Sequence, residues 1–304
     1  MTQAPTAPTV PRLHGVFVPL VTPFGPGGEV AAEALEGLAH AVLDGGATGI
    51  VALGTTAEVA ALDAAERGLV VEVCARVCRE RGAVLLVGAG GGDTRACAAA
   101  LAGLADRPEV AGALVTVPAF TRPGAAGVLA HFTRLAADSP VPLVVYHIPY
   151  RTGMPLGAAD LRALGALPGV AGVKYAAGSV DAETVALLGD LPPEFAVLAG
   201  DDVFLSPLLA LGATGGILAS AHLATDRFAE LTTAWREGRT DRARELGHAL
   251  ARLSAALFTE PNPTVLKGVL HARGTIPTAD VRLPLLPAAA SSVAGALAAL
   301  DALA

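Results

Sequence analysis

The residue in this chain best suited to covalent chemistry is Lys174. Of 21 lysines and arginines only two are lysines, Lys174 and Lys267, so arginine carries nearly all of the positive charge. Lys174 lies in VAGVKYAAG, residues 170–178, a short valine-bearing run bounded by glycine that reads as a buried strand. Alternation along a strand puts Gly172, Lys174, Ala176 and Gly178 on one face. That face is a long amine among very small side chains, which leaves room for a small ligand. Desolvation disfavours the ammonium form and leaves more free amine, the species that condenses with a carbonyl. An amine near a strand end can equally snorkel to water or to a carboxylate. On this stretch alone both readings stand.

A Schiff-base amine needs an anchor that aims its substrate and a group that moves protons. Thr55 and Thr56, in GTTAE at 54–58, offer two hydroxyls in a strand-to-helix turn, which with the backbone N–H groups there make a small carboxylate cradle, helped by the helix N-terminus. The alternative is ordinary N-capping. Tyr146, in YHIPYRTG at 146–153, could pass protons through its hydroxyl or could be a core tyrosine with a bonded OH. Arg151, in the loop that follows, suits a bidentate pair with a carboxylate, or a surface ion pair. Asp201 and Asp202 read as caps of the next helix, and His147 as structural. Lys267 reads as solvated, and Glu260 and Asn262 as turn-formers.

These residues must be positioned by regular elements, and the chain supplies a regular alternation. Apolar, β-branched runs at 15–24, 48–56, 83–90, 112–118, 142–149, 170–178, 195–202 and 215–220 read as eight strands. Helical stretches at 30–45, 63–81, 93–106, 124–138, 157–166, 180–190 and 203–211 lie between them. Strands apolar on both faces with helical crossovers predict a parallel sheet, and eight such units predict a closed (β/α)8 TIM barrel. Helices near 225–237, 239–258, 263–273 and 288–303 follow. The expected organisation is a disordered tail at 1–11, a barrel at 12–224 and a C-terminal helical extension at 225–304. The candidate residues fall at the C-terminal ends of strands, where barrels of this kind keep their sites.

Composition narrows the classes. A net charge of −7 argues against nucleic acid and anionic membrane as partners. The tail MTQAPTAPTVP lacks the basic and apolar regions of a signal peptide. Residues 203–225 carry no charged side chain and are long enough to span a bilayer, but Pro207, Gly212, Gly215 and Gly216 break the run and Ser206, Ser220 and His222 are polar, which favours a buried helix and strand over a membrane span. Three cysteines, Cys74, Cys78 and Cys97, form no metal or disulfide framework and predict free thiols in a reducing cytoplasm. No GxGxxG follows the first strand, and GAGGGD at 88–93 is a weak phosphate signal.

Taken in order, GTTAE at 54–58, TVPAFTRP at 116–123, YHIPYRTG at 146–153, VKYAAG at 173–178, AGDD at 199–202 and EPNP at 260–263 resemble the dihydrodipicolinate synthase / N-acetylneuraminate lyase family. The resemblance runs from about residue 13 to the end of the chain. It implies a pyruvate-dependent class I aldolase on a (β/α)8 barrel, acting without metal or other cofactor and assembled as a homo-oligomer, tetramer or dimer. By position it makes Lys174 the Schiff-base lysine, Tyr146 the proton shuttle and Thr55 a member of its relay. It makes Thr56 the holder of the pyruvate carboxylate, Ile217 a backbone contact to pyruvate, and Arg151 the partner of a carboxylate on the second substrate. RTG and EPNP lean towards the synthase branch, whose aldehyde is L-aspartate semialdehyde. Alternatives are cleavage of a 2-keto-3-deoxy sugar acid, dehydration or deamination of a hydroxyproline-derived acid, or a barrel that binds a 2-oxo acid without turnover. Ala119 and Phe120 stand where the synthases usually have two tyrosines, the second completing the relay across a subunit interface. Ala57 replaces the usual glycine of GTTGE, and Tyr175 and Ala177 replace polar residues after the lysine.

Overall fold

Eight parallel strands close into a barrel in sequence order, the last pairing with the first. They are β1 (Gly15–Pro19), β2 (Gly49–Ala52), β3 (Val84–Gly88), β4 (Val110–Thr116), β5 (Leu143–His147), β6 (Val170–Tyr175), β7 (Ala196–Ala199) and β8 (Gly215–Ile217). The structure is a computed structural model that describes residues 13–303; the tail expected at 1–11 lies outside the described residues. Every expected strand is present and the (β/α)8 expectation holds, but most strands end several residues earlier than their apolar runs. Leu20, Val21, Thr22 and Phe24, for example, stay buried after β1 ends at Pro19. These overruns are the starts of the loops at the C-terminal mouth of the barrel, where Leu53, Val117, Ile148, Ala176 and Leu218 are buried as well.

The sheet sorts its side chains by alternation. Phe17, Val51, Leu86, Leu114, Val144, Leu198 and Ile217 point inward and fill the barrel. Val16, Val18, Ile50, Leu85, Val145, Val173 and Tyr175 point outward beneath the helical ring. Packed layers inside make the barrel a solid floor and not a pore. The crossover helices match the expected segments closely, and Gly124–Asp138 matches to the residue.

After β8, the helix Thr225–Arg236 packs back on β1, and the helices Thr240–Leu257, Thr264–Ala272 and Ala290–Asp301 pack on one another. The stretch 203–225 divides into short elements, among them the helix Leu205–Ala210 and β8. Among the described residues no helix is long and apolar enough to cross a membrane. The three cysteines are free and buried. Asp93 caps the helix Thr94–Ala102 through the backbone N–H groups of Arg95 and Ala96, so the glycines before it end in a filled cap and not in a phosphate cradle.

Candidate active site

Lys174 projects inward near the C-terminal end of β6 and is buried, 6% exposed. Its surroundings are small, as the strand pattern requires. Beside it Gly200 follows β7, and a Cβ there would crowd both Ala176 and the lysine stem. In the adjoining β5, Tyr146 is the direct neighbour in register, and its ring centroid lies 4.3 Å from Lys174 Nζ. Burial pulls the lysine down to about 8, with Asp202 and Asp201 pushing back towards the charged form. The amine is therefore neutral far more often near physiological pH than a solvated lysine would be.

Tyr146 is buried, and desolvation pushes its phenol up to about 12; Arg151 and a hydrogen bond with Thr55 pull the other way. The phenol thus keeps its proton at neutral pH, in contact with a hydroxyl that can relay it. Thr55 and Thr56 open the 3-10 turn Thr55–Ala57 directly after β2. Neither caps a helix. The next long helix, Ala64–Arg81, is capped by Asp63 in a capping box with Glu66, so no helix N-terminus backs the two threonines. That removes the helix-dipole support expected from sequence and leaves the hydroxyls and nearby N–H groups as the cradle. Thr22 Oγ1 donates to the Ala57 carbonyl at 2.8 Å and ties this turn to the exit of β1.

Arg151 sits in the short helix Pro149–Thr152, a turn more ordered than the expected loop, with its guanidinium 5.9 Å from the Tyr150 ring centroid. It is exposed and makes no carboxylate ion pair among the described residues, so the surface ion-pair reading does not describe it. One cavity is lined by Thr55, Thr56, Tyr146, Arg151 and Lys174 together. Ile217 lies in the layer below, fully buried and paired with Phe17, while Ala219 lines the cavity from that end of β8. Tyr150, Arg151, Asp202, Phe258 and Asn262 continue outward into a wider mouth of about 490 Å³.

Several readings from sequence are corrected here. Asp201 and Asp202 do not cap the following turn. Asp201 accepts from the Gly178 N–H at 2.7 Å and Asp202 from the Ser220 N–H at 2.6 Å, so each ties one strand exit to another. Burial raises Asp202 to about 6. Asn262 is more than a turn-former: its side-chain amide donates to Thr56 Oγ1 at 2.9 Å and it lines the cavity. Lys267 is not solvated; it is fully buried and donates to Glu58 Oε1 at 2.8 Å. The apolar character all round TVLKGVLHA, residues 264–272, is the signal of a buried helix that could have revealed this. His147 is structural as expected, facing outward against Tyr175 and pushed down to about 4 by burial. Tyr175 hydrogen-bonds Thr184 on the outer side, so its replacement of a polar residue does not touch the cavity.

A desolvated amine, a protonated phenol over it and hydroxyls on a rigid turn, at the C-terminal face of a (β/α)8 barrel, are a set suited to carbonyl chemistry through a lysine. The comparison with known proteins makes this specific: residues 12–302 match the Dihydrodipicolinate synthetase family, and the chain belongs to it. It is 34% identical over 276 residues to 4-hydroxy-tetrahydrodipicolinate synthase 2 of Clostridium acetobutylicum, covering 91% of this chain and 95% of that one. It is 35% identical to the 4-hydroxy-tetrahydrodipicolinate synthase of Nitratidesulfovibrio vulgaris, covering 91% and 93%. Among solved structures, the chloride-inhibited dihydrodipicolinate synthase from Acinetobacter baumannii complexed with pyruvate superposes with a TM-score of 0.90 at 31% identity, covering 96% of this chain and 98% of that one. The synthase from Thermotoga maritima superposes with a TM-score of 0.91 at 27% identity, with the same coverages.

Proposed function

We propose that this chain condenses pyruvate with L-aspartate semialdehyde to give 4-hydroxy-tetrahydrodipicolinate, the product that its relatives' names give. The observation that carries the reading is Lys174, buried and drawn towards its neutral form, in one cavity with Tyr146, Thr55, Thr56 and Arg151. Thr56 holds the pyruvate carboxylate, its hydroxyl hydrogen left free because Asn262 occupies its oxygen as a donor. Ile217 forms the floor beneath. Lys174 Nζ attacks the ketone carbon, water leaves, and a protonated imine forms. That imine acidifies the methyl group, which loses a proton to give the enamine. Tyr146, in contact with Thr55, carries protons between these atoms and solvent. The enamine carbon adds to the aldehyde carbon, whose oxygen takes up a proton. The amino group of the second substrate then attacks the imine carbon and displaces Lys174. One water is released overall.

Arg151 is assigned the carboxylate of the second substrate, because its guanidinium has no carboxylate partner among the described residues and stands at the mouth shared by the inner cavity and the outer chamber. Kinetics of Arg151→Ala test this. A large rise in KM for aspartate semialdehyde, with pyruvate little affected, is expected; an unchanged KM for the aldehyde refutes the substrate assignment. The same Schiff base could instead cleave a 2-keto-3-deoxy sugar acid or process a hydroxyproline-derived acid, and Phe120, with no hydroxyl where synthases carry the relay tyrosine, favours that second reading. Pyruvate release from a panel of such acids separates the two.

Self-association, as a tetramer or dimer, fits a Phe120 side chain that is 98% exposed on a backbone of positive φ. A solved relative at 28% identity is described as a monomeric variant, so sedimentation of this chain is the direct test. A cytoplasmic location fits the three free, buried thiols.

A further inference from the structure

The turn that carries Thr55 and Thr56 is held from the far end of the chain. Glu58, two residues past Thr56, accepts from Lys267 Nζ at 2.8 Å and from the Arg282 backbone N–H at 2.8 Å. Side-chain exposure in the pair is 0% for Lys267 and 2% for Glu58, and the ammonium also lies 4.0 Å from the Phe24 ring centroid. Glu58 has φ +55, a left-handed conformation that residues with a Cβ avoid. It joins two 3-10 turns, and its N–H donates back to the Thr55 carbonyl at 3.1 Å. The helix that supplies Lys267 begins just after Asn262, whose amide reaches Thr56.

A buried ion pair is weak as a source of stability, since apolar residues of similar volume commonly replace it without loss. What it does supply is direction: the carboxylate must stay where the ammonium is. Here that fixes a strained residue, the turn next to it and the helix that presents Asn262. We propose that the Glu58–Lys267 pair is a positioning device for the carboxylate cradle, setting the Thr56 hydroxyl and Asn262 for the carboxylate of the 2-oxo acid. The inference rests on the reading above in which Thr56 holds that carboxylate.

The test compares two carbonyl compounds trapped on Lys174 by borohydride: pyruvate, which has the carboxylate, and acetone, which lacks it. Half-saturating concentrations are measured for the full chain, for Lys267→Met, and for Glu58→Gln/Lys267→Met, which removes both charges together. Thermal melts establish which proteins are folded at the assay temperature. The expected result is that the preference for pyruvate over acetone falls about tenfold in the folded variants, the scale of one well-aligned hydrogen bond to a charged group. An unchanged preference overturns the proposal, however much the melting temperature drops. Failure of both variants to fold also overturns it, by making the pair architectural. The underlying reading fails separately: the unaltered chain would then take no pyruvate on Lys174, or would show no preference for pyruvate over acetone.

Discussion

Gly200 approaches Lys174 so closely that a Cβ added to it would stand 2.9 Å from the lysine Cγ and 3.1 Å from Cε. The same Cβ would lie 2.9 Å from the Ala176 methyl, so the lysine stem has little freedom to retreat. The absence of a side chain at 200 is therefore what lets the amine reach the cavity along this path. Gly200→Ala is expected to fold, because its N–H still donates to the Tyr175 carbonyl at 2.7 Å, but to displace Nζ. A misplaced nucleophile of this kind costs on the order of 100-fold in kcat. Wild-type turnover in Gly200→Ala would show that the contact does not position the lysine.

The pH dependence of imine formation follows from the lysine. Attack needs the free amine, and burial brings Lys174 to about 8. The rate constant for imine formation is expected to rise about tenfold per pH unit below that point and to level off above it. Asp202 pushes Lys174 towards the charged form, and it is mostly ionised above about 6. Asp202→Asn removes that charge while keeping an acceptor for the Ser220 N–H, so the inflection moves to lower pH. Rapid-mixing kinetics across pH for both proteins measure this; an inflection that stays or moves upward contradicts it.

Tyr146 separates packing from proton transfer. Tyr146→Phe keeps the ring that lies 4.3 Å from Nζ and removes only the hydroxyl. Melting temperature is expected to change little, pyruvate still to be captured on Lys174, and kcat to fall by about 10²–10⁴. Full turnover in this variant would show that another group carries the protons.

The fold was legible because each strand is a short apolar run and each crossover helix has clear stops. Gly124–Asp138 follows Pro123 and ends before Ser139–Pro140, and its limits match the expectation to the residue. That the lysine, the tyrosine, the threonine pair and the arginine line one cavity was also legible, since motifs and strand ends place them. What the chain conceals locally is partnership. Asn262 with Thr56, and Lys267 with Glu58, join residues 206 and 209 positions apart, so no window of sequence holds both members. The capping reading of Thr55 and Thr56 failed for a related reason: the turn after β2 runs through two 3-10 turns before Asp63 starts the helix. Asp202 read as a cap because aspartate before a helix usually is one, whereas here it reaches from the exit of β7 to Ser220 at the exit of the neighbouring β8.

The central claim is that Lys174, and not the other lysine, forms the Schiff base. Borohydride reduction in the presence of pyruvate, followed by peptide mass spectrometry, tests it most directly. With only two lysines in the chain, the assignment is unambiguous. A reduced pyruvate adduct is expected on the peptide that contains Lys174, with Lys267, fully buried against Glu58, unmodified. A folded protein that carries no adduct on Lys174, or carries it on Lys267, would rule out Lys174 as the Schiff-base residue.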